Sequence, residues 1–265
     1  MQAGVANRAD WPEFDRFCNL VIMVHKYCFR SLETWALNTI LRWLSPVPRY
    51  RPPHIHSSIA MSLVCNGAEP GLLDRLRRVL ELANLCDHQP LHNAVVQRLQ
   101  EELRSTNADL PWFIGLGERL QIDSILGTAY YALMIQGRDK WVSHVSNGRL
   151  TRDQLSKLHN GYYALINRWE GYRLRPPTMP PCIHFAQCCN QRWHAYWREQ
   201  TKDDGIMCMF PADVLGRLEA ISTRIYAYNV IMDMHQECRN RALAALKVCI
   251  KETREELAKH FMVLP

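Results

Sequence analysis

A chain of 265 residues with 48% hydrophobic content can build one large domain or two modest ones, and this composition argues against intrinsic disorder. Its formal net charge of +6 is mild and interleaved with acids, as in LLDRLRRVLELA and KETREELAK, which argues against the basic stripe of a nucleic-acid binder. No apolar run approaches the eighteen or so residues of a membrane span, and MQAGVANRADWPEFDRF lacks the charged-then-apolar pattern of a signal peptide. The expected location is cytoplasm or nucleus, where ten cysteines serve as core thiols or metal ligands rather than disulfides.

Apolar residues recur at i, i+3, i+4 and i+7 in most segments longer than ten residues, which predicts an all-α fold, an array of helical hairpins in two lobes. In chain order the periodic stretches are 19–44, 59–64, 71–86, 90–104, 110–120, 123–135, 151–169, 185–200, 211–224 and a long final helix over 235–260. Two proline-rich runs interrupt them: SPVPRYRPPHIH predicts a linker at 45–56, and RLRPPTMPPC breaks the chain at 173–182. The expected division is a tail at 1–16, a hairpin lobe at 17–145 and a C-terminal lobe at 146–265, with the lobes meeting near Trp141 to Arg149. The last helix is expected to pack back on the segment from Cys182 to Trp197. A faint internal repeat runs through VIMVHKYCFRSLETWALNTI, VLELANLCDHQPLHNAVVQRL and FIGLGERLQIDSILGTAYYAL, with Ala36, Ala94 and Ala129 at matching places where a small residue lets two helices approach.

These hairpins resemble the helical region that follows the BTB/POZ module in proteins of mushroom-forming fungi. The resemblance rests on the Lys-Tyr-x-Phe and Leu-Glu-x-Trp-Ala-Leu pattern at 25–37, on the two further hairpins, and on LTRDQLSKLHNGYYALINRW, CIHFAQCCNQRWHAYW and the terminal MHQECRNRALAALKVCIKETREELAKHFMVLP. It covers nearly the whole chain from Phe17, and the order of the motifs carries it rather than any one of them. It implies a BACK-like helical scaffold that binds other proteins. The BTB module itself, which would imply dimerisation and docking to cullin ubiquitin ligases, is not matched, so dimerisation of that kind is not expected.

The segment CIHFAQCCNQRWH holds the densest chemistry. Zinc needs three or four thiolates or imidazoles converging at about 2.0–2.3 Å. Cys182 and Cys188, with the His-x-x-Cys pair His235 and Cys238 on one face of a helical turn, make a reasonable set for structural zinc. The competing reading is packed core thiols, because free cysteine behaves as a small buried apolar group. It weighs more here, since the compact Cys-x2-Cys spacing of zinc fingers is absent and about forty-six residues separate the two halves. Catalytic zinc would also need a nearby general base, and the acids there (Glu199, Asp203, Asp204, Glu237) are few.

Other motifs carry less. GLGER at 115–119 follows a helical pattern rather than a strand, so close helix packing is expected rather than a phosphate loop. Asp203 and Asp204 in TKDDG read as a turn or loop that serves solvation or helix termination, and no Gly-x-Ser-x-Gly elbow occurs. Trp193, Tyr196 and Trp197 share a helical face and are expected in the core. The expectation is a non-enzymatic interaction or adaptor module without a cofactor, its protein partner unspecified and nucleic acid and membrane not among its targets. The alternatives are a zinc protein or metal-dependent enzyme centred on the Cys/His set, and a nucleic-acid-binding regulator.

Overall fold

Helix is the only regular structure among the described residues of this computed structural model, which are 11–44, 71–180, 186–225 and 234–262. The fold is all-α. The predicted linker at 45–56 and helix at 59–64 lie outside the described residues. By contact the chain groups into two compact units, Met1–Ala108 and Asp109–Pro265.

In the first unit, α1 (Trp11–Lys26) pairs with α2 (Arg30–Leu44), and α3 (Leu72–Leu85) with α4 (Gln89–Leu103). Their apolar spacing determines the buried faces: Phe14, Cys18, Val21 and Val24 on α1, and Leu91, Val95, Leu99 and Leu103 on α4. Further contacts of α1 with α3 and of α2 with α4 join the two pairs. The expected helical stretch 19–44 is therefore two helices, split at Tyr27 to Phe29.

The split has a counterpart in each of the next two pairs. Cys28, Asp87 and Gln121 all adopt the left-handed conformation, at φ 60°, 50° and 54°. The following backbone N–H in each case donates to a carbonyl five residues back: Phe29 to Val24 (2.9 Å), His88 to Ala83 (2.8 Å) and Ile122 to Gly117 (3.0 Å). This is the six-to-one bond of a Schellman closure, and it ends one helix while aiming the chain into the next. Matching the turns aligns Ala36, Val95 and Ala129, all fully buried. Ala94, the small residue of the matching sequence pattern, falls one position off, because the structure repeats the turn rather than the small residue. Ala94 itself is partly exposed.

The second unit begins with α5 (Leu110–Leu120) and α6 (Asp123–Ile135), followed by α7 (Arg138–Ser146) and α8 (Arg152–Leu174). The short α7 is largely polar and was not anticipated; buried Trp141 fastens it, its indole N–H donating to the Leu133 carbonyl at 2.9 Å. Thr151 and Gln154 form a reciprocal capping box that starts α8. Beyond α8 lie an extended strap at 175–180, α9 (Ala186–Gln200), the single turn α10 (Asp204–Met207), α11 (Val214–Arg224), α12 (Gln236–Glu255) and α13 (Leu257–Phe261).

The expected long final helix is thus broken at Glu256. Its last turn, α13, packs on α6 and α8, while α12 packs chiefly on α11; the segment from Cys182 to Trp197, on which the last helix is expected to pack, lies partly outside the described residues. These contacts also group α5 and α6 with the C-terminal residues, so the division by contact falls at Ala108/Asp109. The approach of α13 depends on two glycines. The position a Cβ would take at Gly127 collides with the Ala258 backbone, and at Gly161 with the Phe261 ring.

Candidate functional site

In the second unit, the last turn of α8, the proline strap and the outer face of α12 enclose a groove of about 1040 Å³. The aromatic face of α9 holds the strap and the end of α8: the Trp193 indole donates to the Pro177 carbonyl (2.9 Å) and the Trp197 indole to the Tyr172 carbonyl (2.7 Å). The Tyr196 hydroxyl donates to the Ile221 carbonyl at 2.8 Å, tying α9 to α11. All three rings are buried, as their spacing implied. Leu174, Pro176, Ala245 and Val248 give the groove apolar walls, with Arg175 and Arg241 among its lining cations.

Arg168 and Tyr172, which also line this groove, belong to a fully engaged polar network. The Arg168 Nε donates to the Tyr172 hydroxyl (2.9 Å), its Nη1 to Glu256 Oε2 (2.8 Å), and the Tyr172 hydroxyl is 2.9 Å from Thr253 Oγ1. Burial raises the pKa of the Cys249 thiol, which keeps it protonated and poorly nucleophilic. Burial, reinforced by the Arg168 charge, lowers the pKa of His260 and disfavours the imidazolium. Other carboxylates are likewise engaged in holding the fold. Asp213 caps α11 through the Gly216 N–H (2.9 Å) and accepts from the Tyr131 hydroxyl. Asp203 starts α10 as its N-cap, rather than ending a helix, and pairs with Arg224 at 2.6 Å. In GLGER, Gly117 lies where a Cβ would press on the Leu126 backbone at 3.1 Å, so helix packing accounts for this glycine.

Of the predicted zinc ligands, Cys182 and the side chain of Cys188 lie outside the described residues. His235 is the exposed N-cap residue of α12, and Cys238 is buried one turn on. A different trio is brought together in the first unit. His25 Nδ1 lies 2.9 Å from Glu33 Oε2 and 3.6 Å from Cys86 Sγ, and the three ligand atoms are within 4.8 Å of one another. Burial first, then the Glu33 charge, pushes the Cys86 thiol up to about 11. No sequence motif announces this trio, because its members come singly from three elements.

Comparison with protein-family models, with curated proteins and with solved structures found no match. Among the described residues, no helix is long and apolar enough to cross a membrane.

The first unit also carries a concentration of exposed apolar side chains. Met23, Tyr27, Phe29 and Trp35 are each more than half exposed, and Ile22 and Leu32 only slightly less so. All six lie around the turn that joins α1 to α2. Trp35 is braced by the Phe17 ring, with centroids 5.4 Å apart.

Proposed function

We propose that this chain is a non-enzymatic protein-interaction module, a scaffold of helical hairpins that grips a protein partner through the apolar face at the α1–α2 turn. The observation that carries the reading is that face. Isolated exposed apolar residues are ordinary, whereas six within fourteen positions, three of them aromatic, mark a contact surface. Aromatic anchors of this kind dominate binding energy when a partner excludes water from them. The resemblance to the helical region of fungal BTB proteins points the same way.

Charge placement supports a protein partner over a phosphate backbone. Arg77, Arg98, Arg173, Arg241 and Lys251 each lie within 4.0 Å of an acid one turn away on the same helix, which dilutes any basic stripe.

The test is affinity capture with the full chain, comparing wild type, Phe29→Ala/Trp35→Ala, and Lys251→Ala as a surface control. A protein that copurifies with wild type and the control should bind the double variant at least about 30-fold more weakly, the effect of losing roughly 2 kcal/mol of anchor contacts. A partner held equally by all three chains, or none retained by wild type at micromolar concentration, would overturn the proposal.

A further inference from the structure

We propose that His25, Glu33 and Cys86 form a binding site for a borderline divalent transition ion, with Zn²⁺ as the best-matched occupant. The site lies in a different unit from the Cys/His set expected from sequence, and it does not depend on the interaction reading above. Its construction follows from the repeated turn. His25 occupies the last turn of α1, three residues before left-handed Cys28, and Glu33 occupies the first turn of α2. Cys86 is the cap residue of α3, immediately before left-handed Asp87 in the equivalent turn of the next pair. Contacts between α1 and α3 bring the two turns together.

The decisive feature is that the carboxylate and the thiol approach the same ring nitrogen. An imidazole nitrogen holds either one proton or one lone pair, so a hydrogen-bond network can offer two neighbours at Nδ1 only one shared proton. Here both converge on Nδ1, and a cation lying along its lone pair engages all three groups at once. The nitrogen–sulfur distance agrees with tetrahedral ligation. With Zn–S near 2.3 Å and Zn–N near 2.0 Å, sulfur and nitrogen on one ion are about 3.5 Å apart, and the observed separation is 3.6 Å. Nitrogen and oxygen on such an ion are about 3.4 Å apart, against 2.9 Å in the present hydrogen bond. Glu33 therefore retreats by about half an ångström as the proton between the two groups is replaced by metal.

Donor chemistry selects the ion. One thiolate, one imidazole and one carboxylate suit zinc and its transition-metal neighbours, whereas Ca²⁺ and Mg²⁺ require sets dominated by oxygen. Charge also balances: a dication neutralises the thiolate and the Glu33 carboxylate, which is almost wholly buried, with Arg30 Nη1 3.4 Å from its second oxygen. On binding, the Cys86 thiol gives its proton to solvent, and the proton shared between Nδ1 and Glu33 leaves Nδ1 through solvent, so that His25 ligates as the tautomer with its one proton on Nε2. Three protein ligands leave a fourth position, which the partly exposed His25 side opens to water or to an external donor. The ion would fasten the end of α3 to the α1–α2 turn.

Co²⁺ titration of the metal-stripped full chain provides the test, because a thiolate–cobalt bond produces a near-ultraviolet charge-transfer band. Wild type should bind one equivalent with that band, and Zn²⁺ should displace it. Cys86→Ser should lose the band and bind more than about 100-fold more weakly, exceeding the 10- to 100-fold loss typical of outer-shell changes. Glu33→Gln should keep the band but weaken binding about 10-fold or more, and Cys238→Ser should match wild type. A wild-type chain without the band, a band that persists in Cys86→Ser, or one lost instead in Cys238→Ser would overturn the site. A second readout on wild type guards against misfolding of Cys86→Ser: saturating Zn²⁺ should slow alkylation of Cys86 at least about tenfold and leave exposed Cys28 unchanged. Equal rates at Cys86 with and without the ion would also overturn it.

Discussion

Phe261→Ala is expected to lower the stability of the second unit by about 3–5 kcal/mol, the cost of truncating a buried aromatic where the surroundings cannot collapse. The ring is about 1% exposed and stacks on Tyr130 with centroids 5.1 Å apart. It lies directly over Gly161, so the cavity would open between two helix backbones that are already close. Gly127→Ala should be comparably damaging for the opposite reason. The added methyl meets main-chain atoms of Ala258, which cannot swing aside as a flexible side chain would, so α13 must shift away from α6. Since both changes undo one docking event, the double variant should cost less than the two single losses combined. Urea unfolding of the full chain measures all three. A loss below about 1 kcal/mol for Phe261→Ala would mean that α13 contributes little to holding this unit together.

Glu118→Gln is the second large expectation, a loss of about 2 kcal/mol at neutral pH. Glu118 accepts hydrogen bonds from the Tyr130 hydroxyl (2.8 Å), Gln154 Nε2 (2.7 Å) and Lys157 Nζ (2.8 Å). Burial alone would raise its pKa, but the three donors, Lys157 foremost, outweigh burial and hold it below the ordinary carboxylate value. A depressed folded-state pKa means that this group's stabilisation is fully present above the unfolded pKa of about 4.3 and is lost as pH falls through the lower folded value. The difference between wild type and Glu118→Gln should therefore be constant from pH 7 to about pH 5 and shrink below about pH 4. Unfolding series at several pH values check this, and a difference that grows on acidification would contradict the network. The amide retains one acceptor, so Glu118→Ala should cost more than Glu118→Gln.

The helices were legible because their buried faces follow i, i+3 and i+4, as in Leu91, Val95, Leu99 and Leu103. Their ends were less so. Glycine is the usual sign of a left-handed closure, yet Cys28, Asp87 and Gln121 occupy those positions, so the shared turn has no residue signature and only the backbone reveals the correct register. The break at Glu256 was hidden for a similar reason. The apolar periodicity continues through it, and what ends α12 is the docking of Leu257, Ala258 and Phe261 on α6 and α8. Of the chemistry, the predicted Cys/His set drew attention through its density, whereas His25, Glu33 and Cys86 are scattered over sixty-one positions and converge only once two helix pairs are packed.

The seat of α13 on α6 also bears on the order of events during synthesis. Gly127 and Ala258 are roughly 130 residues apart, so at roughly 5–20 residues per second a ribosome takes on the order of ten seconds to make the second surface after the first. Throughout that interval the side of α6 that carries Gly127 and Tyr130 has no α13 to cover it, and nascent apolar surface of this kind is what chaperones bind. Folding of the second unit is in this sense largely deferred until its last helices emerge, while α1 to α4 form a core from residues already outside the tunnel.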